Sequence, residues 1–211
     1  MSLDNQSTYW DKVAETKTFT HPLDISLLEN YLDKKSNILD YGCGYGRVVK
    51  QLQDAGFKNT IGFDTSAKLI ERGKKHVSSI FHIDDAILLP VEDNSTDCII
   101  LFAVLTCIPS NSGQTQLVKM LRDKLKNGGF LYISDYYLQE NSVEVKKYQY
   151  LNNDKNNYGV FSLPEGVIFR HHKQEYINTL LEGFEVVQTQ IIEVKTMNGN
   201  SAEAFQILLR K

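Results

Sequence analysis

The amino-acid sequence predicts an α/β fold: a doubly wound, seven-stranded, mostly parallel sheet that ends in a C-terminal antiparallel hairpin. Between residues 37 and 134, short apolar runs alternate with segments of helical period. Such alternation is typical of parallel sheets with helical crossovers. Residues 184–210 instead form two longer strand-like segments separated by an Asn-Gly pair, which is a strong hairpin signal.

Length and composition favour one globular domain over residues 1–211. Hydrophobic residues make up 42% of the chain and charged residues 23%, and the net charge is −3. This charge gives no reason to expect a nucleic acid or an anionic membrane as partner. No run approaches the roughly 18 apolar residues of a membrane span, and the first residues lack the apolar region of a signal peptide. We therefore expect a cytoplasmic protein.

The first half of the predicted sheet contains the segment that leads to a function. A strand over residues 37–40 runs into a glycine-rich loop, and the apolar residues over 47–55 recur at helical spacing until Gly56. Residues 60–64 form the second strand, and Ser66 is placed to cap the next helix.

The remaining elements follow from the same patterns. Further strands are predicted over residues 79–83, 97–102, 130–134, 184–195 and 202–210, and further helices over residues 115–126 and 173–181. The run at 97–102 is almost continuously apolar, as expected of a central strand covered on both faces. The stretch 139–158 is polar, and we expect its run "NNDKNNYG", residues 152–159, to be flexible.

The glycine-rich loop predicts a ligand site with an unusual charge preference. Gly42, Gly44 and Gly46 place backbone N–H groups and a helix N-terminus at the carboxyl edge of the sheet. A dinucleotide site has the spacing G-x-G-x-x-G, whereas here the spacing is G-x-G-x-G and Arg47 follows. Asp40, just before the loop, would repel a pyrophosphate and attract an ammonium group. We therefore expect a ligand with a positive charge near the loop.

Asp64 adds a second constraint on the ligand. It ends the second strand, where an acid in such folds accepts hydrogen bonds from ribose hydroxyl groups. Ser66 is the better helix cap, which leaves Asp64 free for this role. An adenosine with an amino-acid tail meets both constraints, so the predicted cofactor is S-adenosylmethionine.

From Ile38 to Asp135 the chain resembles the class I S-adenosylmethionine-dependent methyltransferases, in particular the small-molecule group called type 11 or type 25. The segments "ILDYGCGYGR" and "IGFDTS" carry most of the resemblance, and "HIDDAILLPVEDNSTDCII", "ILFAVLTCI" and "LKNGGFLYISD" agree with it. The resemblance implies a Rossmann-like fold and methyl transfer to an oxygen or nitrogen of a small molecule. Residues 101–104 lack the Asn/Asp-Pro-Pro-aromatic tetrad of many enzymes that methylate bases or glutamine, which disfavours those acceptors and leaves them as alternatives.

The loop and the resemblance together imply a set of cofactor-binding residues. They are Asp40, Gly42, Cys43, Gly44, Arg47, Asp64, Thr65, Asp85, Ala86 and Phe102. By the resemblance, Asp85 would bind the adenine amino group and Ala86 would offer its backbone N–H to the ring. Ile83, Asp84 and Leu88 are weaker candidates for the adenine wall, and residues 105–107 would lie closest to the transferred methyl group.

The resemblance also places the acceptor pocket and its candidate catalytic residues. Residues 1–36 would form a lid and residues 136–173 a substrate-pocket insertion. His171 and His172 are candidate bases because an imidazole titrates near neutral pH, although neighbours on a strand point to opposite faces. Asp135 is a further candidate base or orienting carboxylate. Capping or solvation of these three side chains stays an open alternative. Tyrosines 136, 137, 148, 150 and 158 would line an aromatic or cationic acceptor pocket, or serve in packing.

Two other functions remain alternatives. A nicotinamide-dependent oxidoreductase is disfavoured by Asp40 and Arg47. A non-catalytic scaffold that binds S-adenosylmethionine would keep the same acids at its sheet edge. Neither a zinc site nor a disulfide framework is expected, since Cys43, Cys98 and Cys107 have no paired spacing, and no oligomeric state follows from the sequence.

Overall fold

Two sheets organise the computed structural model, which describes residues 6–140, 142–197 and 199–211, without the side chains of residues 142–144. The strands are β1 Ile38–Tyr41, β2 Thr60–Asp64, β3 Ile80–His82, β4 Thr96–Phe102, β5 Leu125–Tyr136, β6 Gln149–Tyr150, β7 Tyr158–Ser162, β8 Ile168–Arg170, β9 Glu185–Lys195 and β10 Ser201–Arg210. The helices are α1 Ser7–Val13, α2 Ile25–Glu29, α3 Arg47–Asp54, α4 Ala67–Lys74, α5 Asn111–Lys124, α6 Ser142–Lys147 and α7 Gln174–Leu180.

The large sheet has seven strands in the order β3-β2-β1-β4-β5-β10-β9. The first five pair in parallel, while β10 runs antiparallel to both β5 and β9. This arrangement confirms the predicted fold class. Asp40 lies in register with Gly62 and Ile100, so the carboxyl ends of β1, β2 and β4 meet at one edge.

The side chains of the central strand β4 contribute to the hydrophobic cores on both faces of the sheet. Ile99 and Leu101 pack in the core that also contains residues of α5, whereas Cys98 and Ile100 pack in the core beneath α2 and α3. All four side chains are fully buried. Because side chains alternate along a strand, one continuous apolar run supplies both cores, as the sequence predicts.

Most predicted boundaries agree with the structure within one or two residues, but the region from α5 to β5 differs. Helix α5 begins earlier than predicted because Ser110 Oγ accepts the Gly113 N–H at 3.1 Å. It ends at Lys124, and Leu125 already belongs to β5, so the predicted helix through residue 126 is wrong. The chain end stabilises this longer strand, since Lys211 pairs with the backbone of Gly128 and Gly129.

A second, three-stranded sheet, β6-β7-β8, lies within residues 136–173. The polar stretch 139–158 contains α6 and β6, both of which precede the run 152–159 that is predicted to be flexible. Phe161 and Phe169 of this sheet, and Tyr148 just before β6, form one buried cluster with Tyr9 of α1. The cluster joins distant segments, so no local period in the sequence indicates it.

Parts of two predictions fall outside the described residues. The predicted lid includes residues 1–5, and the predicted Asn-Gly turn includes Asn198, none of which the structure describes. The strands on either side of that turn do pair, with Ser201 opposite Lys195. Within the described chain, no helix is long and apolar enough to cross a membrane.

Candidate functional site

A cavity of about 290 Å³ lies at the carboxyl edge of the large sheet and extends to the small sheet and to the β9–β10 turn. Eight of the predicted cofactor-binding residues line it, together with one predicted catalytic residue: Asp40, Gly42, Cys43, Arg47, Asp64, Thr65, Ala86, Phe102 and His171. Gly44, Asp85, Asp135 and His172 are not in the lining. The structure therefore brings most of the predicted site together and separates part of the predicted catalytic set from it.

The glycine loop adopts backbone conformations that disfavour side chains. Gly42 and Gly44 have φ values of +71° and +55°, which lie in the left-handed region. A Cβ atom on Gly42 would also approach Cγ2 of Val104 to 2.6 Å. The N–H groups of Gly42 and Cys43 both donate to the Phe63 carbonyl oxygen, at 2.8 and 3.1 Å, so the end of β2 holds the start of the loop.

Asp40 is the group in this site that most clearly lacks a partner. Its side chain is 2% exposed, and Oδ2 makes no hydrogen bond within the described part of the chain. Burial raises the pKa of Asp40 to about 8, opposed by Arg47 and reinforced by Asp64. An ammonium group beside Oδ2 would satisfy this oxygen and favour the ionised form. The site thus fits the ammonium end of an amino-acid ligand.

Asp64 is more firmly held than the sequence predicts. Ser66 does cap α4, with its Oγ accepting the Leu69 N–H at 3.2 Å. Asp64 is nevertheless not free, because Oδ2 accepts the Gly44 N–H and Oδ1 accepts the Ser66 N–H, both at 2.8 Å. Burial raises the pKa of its carboxyl group. Asp64 fastens the glycine loop to β2 and still lines the cavity.

The segment predicted to contact adenine is only partly at the cavity. Ile83 and Ala86 line it, and the Ala86 carbonyl oxygen accepts the Tyr41 hydroxyl at 2.7 Å. The half-buried Asp85 side chain instead accepts the Ile87 N–H at 3.1 Å within its own turn. The weaker candidates Asp84 and Leu88 are exposed and do not line the cavity.

The N-terminal segment lies across the glycine loop. The Phe19 ring stacks on Tyr45 with centroids 5.2 Å apart, and the Phe19 N–H donates to the Tyr45 hydroxyl at 3.2 Å. Arg47 Nη2 donates to the His21 carbonyl oxygen at 2.6 Å. Trp10 packs its edge on Phe19 and lines the cavity. These contacts cover the loop with residues of the predicted lid.

The two adjacent histidines, which follow the end of β8, lie in different surroundings. His171 lines the cavity, with Nδ1 at 2.7 Å from the Tyr148 hydroxyl. His172 is fully buried elsewhere: Nδ1 lies 3.1 Å from the Tyr136 carbonyl oxygen, and Nε2 lies 2.9 Å from Gln114 Nε2. These partners fit a neutral ring that carries its proton on Nδ1. Burial lowers the pKa of His171 well below its usual value and that of His172 to about 3.

Asp135 lies behind the cavity wall. It is fully buried, with Oδ1 accepting the Tyr136 N–H at 2.8 Å and Oδ2 accepting the Thr106 N–H at 3.1 Å. Burial raises the pKa of this carboxyl group to about 7. Its observed contacts join the end of β5 to the turn at Leu105–Cys107, and Asp135 does not line the cavity.

One histidine that the sequence analysis did not single out lines the cavity. His21 is 4% exposed, its Nδ1 lies 2.7 Å from Ser134 Oγ, and its Nε2 has no partner in the described residues. Its ring meets the Tyr136 ring edge-on, with centroids 4.8 Å apart. The sequence carries no spacing signal for this residue, because Ser134 and Tyr136 are distant in the chain.

Comparisons with known proteins give matches over most of the chain. The profile of a family described as "Methyltransferase domain" matches residues 20–189. A solved SAM-dependent methyltransferase from Methanosarcina mazei is 25% identical, with a TM-score of 0.79 over 90% of this chain and 99% of that one.

Two further matches differ in what they cover. The 1,6-didemethyltoxoflavin-N1-methyltransferase of Burkholderia thailandensis, solved with 1,6-didemethyltoxoflavin and S-adenosylhomocysteine, has the same fold. Its TM-score is 0.64 at 13% identity, over 88% of this chain and 75% of that one. The curated ribosomal protein L11 methyltransferase of Shewanella pealeana is 28% identical over 62% of this chain and 45% of that protein. This chain thus spans less than half the length of that relative.

Proposed function

Because this chain belongs to the methyltransferase domain family, we propose that it transfers a methyl group from S-adenosylmethionine to an oxygen or nitrogen atom of a small molecule. The observation that carries the proposal is the single cavity that joins Asp40 and the glycine loop to an aromatic end lined by Tyr136, Phe161 and Phe169. One end suits a cationic nucleoside, and the other suits an organic acceptor.

The residues at the loop end fit S-adenosylmethionine. Asp40 Oδ2 would take the ammonium group, the remaining lone pairs of Asp64 would accept from the ribose hydroxyls, and Ala86 would offer its backbone N–H to adenine. When bound, S-adenosylmethionine supplies an electrophilic methyl group on a positively charged sulfur. Phe102, which lines the cavity at the end of β4, would then lie beside the methionine part.

The residues at the other end would hold the acceptor and keep water away. Trp10, Phe161 and Phe169 present apolar rings to the cavity, and Gln139 and His171 add polar atoms. Methyl transfer needs little more from a protein than a nucleophile held in line at short distance in a dry site. The lining of this end is consistent with that task.

The shape of the cavity supports a small acceptor over a protein. Its volume lies near the lower limit of small-molecule sites, which run from roughly 300 to 1,000 Å³, and residues 18–21 lie along its wall. The Burkholderia neighbour is named for a small heteroaromatic acceptor. The Shewanella relative is named for a ribosomal protein, which makes a protein acceptor the alternative to test.

Product formation distinguishes these acceptors. The purified protein is incubated with methyl-labelled S-adenosylmethionine and either a panel of small phenols, carboxylic acids, heteroaromatic N–H compounds and amines, or purified ribosomal protein L11. We expect S-adenosylhomocysteine release and label on a panel member. Label on L11 alone would replace the small-molecule proposal. Calorimetric binding of S-adenosylmethionine without release above background for any acceptor would favour the non-catalytic scaffold.

A further inference from the structure

His21 is held rigidly in the cavity wall at three points. Nδ1 lies 2.7 Å from Ser134 Oγ, the backbone carbonyl oxygen accepts Arg47 Nη2 at 2.6 Å, and the ring packs edge-on against Tyr136. Rigid placement of this kind leaves Nε2 as the only polar atom of the side chain without a partner in the described chain. Burying a polar atom without a hydrogen-bond partner is unfavourable, so Nε2 indicates a ligand that bonds to it.

The position of His21 is where methyl transfer is expected. Ser134, its anchor, pairs with Phe102 across β4 and β5, and Phe102 is the residue expected beside the methionine part of the cofactor. Arg47 connects the His21 backbone to the start of α3 next to the glycine loop. His21 therefore lines the cavity between its cofactor end and its acceptor end.

The neighbours of His21 favour a planar acceptor. The Tyr136 ring lies between two imidazoles: it meets His21 edge-on at 4.8 Å and stacks on His171 at 5.0 Å with an interplanar angle of 28°. Phe161 contacts His171 edge-on at 4.9 Å. Flat side chains that pack at these distances provide faces and edges suited to another ring.

The charges of the cavity disfavour an amine acceptor. Among the described lining residues, the only carboxylates are Asp40 and Asp64, and both lie at the glycine-loop end. The charged residue at the acceptor end is Lys147, whose Nζ lies 4.0 Å from the centre of the Phe161 ring. Among the described lining residues at that end, an ammonium group would meet no carboxylate, whereas an aromatic hydroxyl or ring N–H would meet hydrogen-bonding imidazoles.

We propose that His21 binds the methyl acceptor through Nε2, which accepts a hydrogen bond from an aromatic hydroxyl or ring N–H group and takes its proton during transfer. The inference rests on the proposed function and adds the acceptor class and the residue that receives the proton. The acceptor's oxygen or nitrogen forms a bond to the methyl carbon as the carbon–sulfur bond breaks. The electron pair of that bond stays on sulfur, and the proton moves to Nε2 and then to water.

The protonation state of His21 is compatible with this role. Burial, and then the Arg47 guanidinium, lower the pKa of His21 to about 4, so the ring is neutral and able to accept a proton at neutral pH. Such an imidazole is a weak base. It receives the proton late, because the hydroxyl or N–H group becomes strongly acidic only as its new bond to carbon forms.

Two probes test the binding part of the inference: a phenol, which has a hydroxyl donor, and its methyl ether, in which a methyl group replaces the hydroxyl hydrogen. The protein loaded with S-adenosylhomocysteine is titrated with phenol and with its methyl ether, anisole, following the fluorescence of Trp10, the single tryptophan of the chain, which lines the cavity. We expect the wild type to bind the phenol about tenfold tighter than its methyl ether, the value of one hydrogen bond.

Variants of His21 test whether Nε2 causes this difference in affinity between the phenol and its methyl ether. His21→Asn keeps a group able to bond Ser134 but lacks Nε2, so it should bind both probes equally while its calorimetric affinity for S-adenosylmethionine stays within about twofold. His21→Gln reaches the Nε2 position and should restore part of the preference. His76→Asn, at an exposed position, should match the wild type, and circular dichroism checks that each variant folds.

The outcomes separate this inference from the proposed function. An unchanged phenol preference in His21→Asn, or binding of neither probe at millimolar concentration, would overturn the role of His21. Turnover of amines alone, unaffected by His21→Asn, would also overturn it while leaving methyl transfer intact. A phenol preference that depends on His21 in a protein that releases no S-adenosylhomocysteine would support the binding site and reject the catalytic function.

Discussion

Asp40 combines deep burial with an oxygen that lacks a partner in the described residues. We predict that Asp40→Asn weakens the affinity for S-adenosylmethionine by roughly tenfold to a hundredfold, the value of a charge-assisted hydrogen bond. The melting temperature should stay equal or rise, because the variant removes a carboxyl group that is costly to bury. Calorimetry and thermal melting measure the two effects. An unchanged affinity would remove Asp40 from the site.

The pH dependence of binding provides a second test at Asp40. With a pKa of about 8, this carboxyl group is mostly protonated at neutral pH in the free protein and must ionise to pair with an ammonium group. Affinity should therefore rise between about pH 6 and about pH 7.5, approaching tenfold per unit, with release of a proton. Calorimetry in buffers of different ionisation enthalpy measures that proton. Asp40→Asn should bind S-adenosylmethionine without releasing a proton. If the wild type also releases none, Asp40 does not pair with the ammonium group.

Asp64 differs from Asp40 in that its oxygens also support the fold. Asp64→Asn replaces one acceptor by an NH₂ group facing the N–H of Gly44 or Ser66, so one buried hydrogen bond is lost. We predict a loss of about 1–3 kcal/mol in the free energy of unfolding together with weaker binding of S-adenosylmethionine. Asp84→Asn, whose side chain is fully exposed, is the matched control. A stable variant with normal affinity would contradict both roles.

At the scale of elements, α1 depends on its contacts with other parts of the chain. It has seven residues, too few for a stable isolated helix. Asp11 Oδ1 accepts the Ser66 hydroxyl at 2.6 Å and the Lys68 N–H at 3.0 Å, which attaches α1 to the start of α4. The predicted lid is therefore tied to the same β2–α4 junction that holds Asp64.

Removing this attachment should loosen the lid. We predict that Asp11→Ala speeds amide hydrogen exchange in α1 about tenfold and shortens the residence time of S-adenosylmethionine, while exchange in β4 and β5 stays unchanged. Lys12→Ala, at an exposed position of the same helix, should leave exchange in α1 as it is. Equal exchange in both variants would show that Asp11 does not hold α1.

At the scale of the whole molecule, the protonation of different buried groups changes the stability of the fold in opposite directions. His21 and His172 have lowered pKa values, so their protonation in the unfolded state reduces stability as the pH falls below about 6.5. Asp40 and Asp135 have raised pKa values, so the folded state takes up their protons first and gains stability over the same range. The dependence of the wild-type stability on pH is the sum of these contributions. A variant that lacks one titrating group is therefore needed to measure the contribution of that group.

His172 is suited to that comparison because it does not line the cavity. The pKa of His172 in the folded state is about 3. As the pH falls from about 7 to about 5, this histidine should therefore lower the wild-type free energy of unfolding by about 2 kcal/mol. His172→Asn should be less stable at pH 7, and its deficit should shrink by that amount at pH 5, as measured by denaturant unfolding. His76→Asn should keep the wild-type profile. A deficit independent of pH would contradict a neutral buried His172.

Local patterns in the sequence were sufficient for the order of the main elements. Apolar periodicity marked β1 to β5, the crossover helices and the final strand pair, since each pattern reports which side of one element is buried. The glycine loop and Asp40 were also readable, because their spacing lies within one strand–loop–helix segment. Two parts escaped: the exact course from α5 to β5, where Lys211 returns to pair with Gly128 and Gly129, and the small sheet β6-β7-β8 with α6, which no local period indicates.

By itself, the sequence determined the fold class, the family and the end of the cavity expected to hold the cofactor. Only the tertiary structure decided which side chains meet at the other end: it selected His171 over His172, buried Asp135 behind the wall and placed His21 beside Ser134, 113 positions along the chain. The physical reason is the separation along the chain over which each kind of interaction acts. Helical and strand periods act over neighbouring residues, whereas contacts among the lid, β5 and the small sheet form only when distant segments pack together.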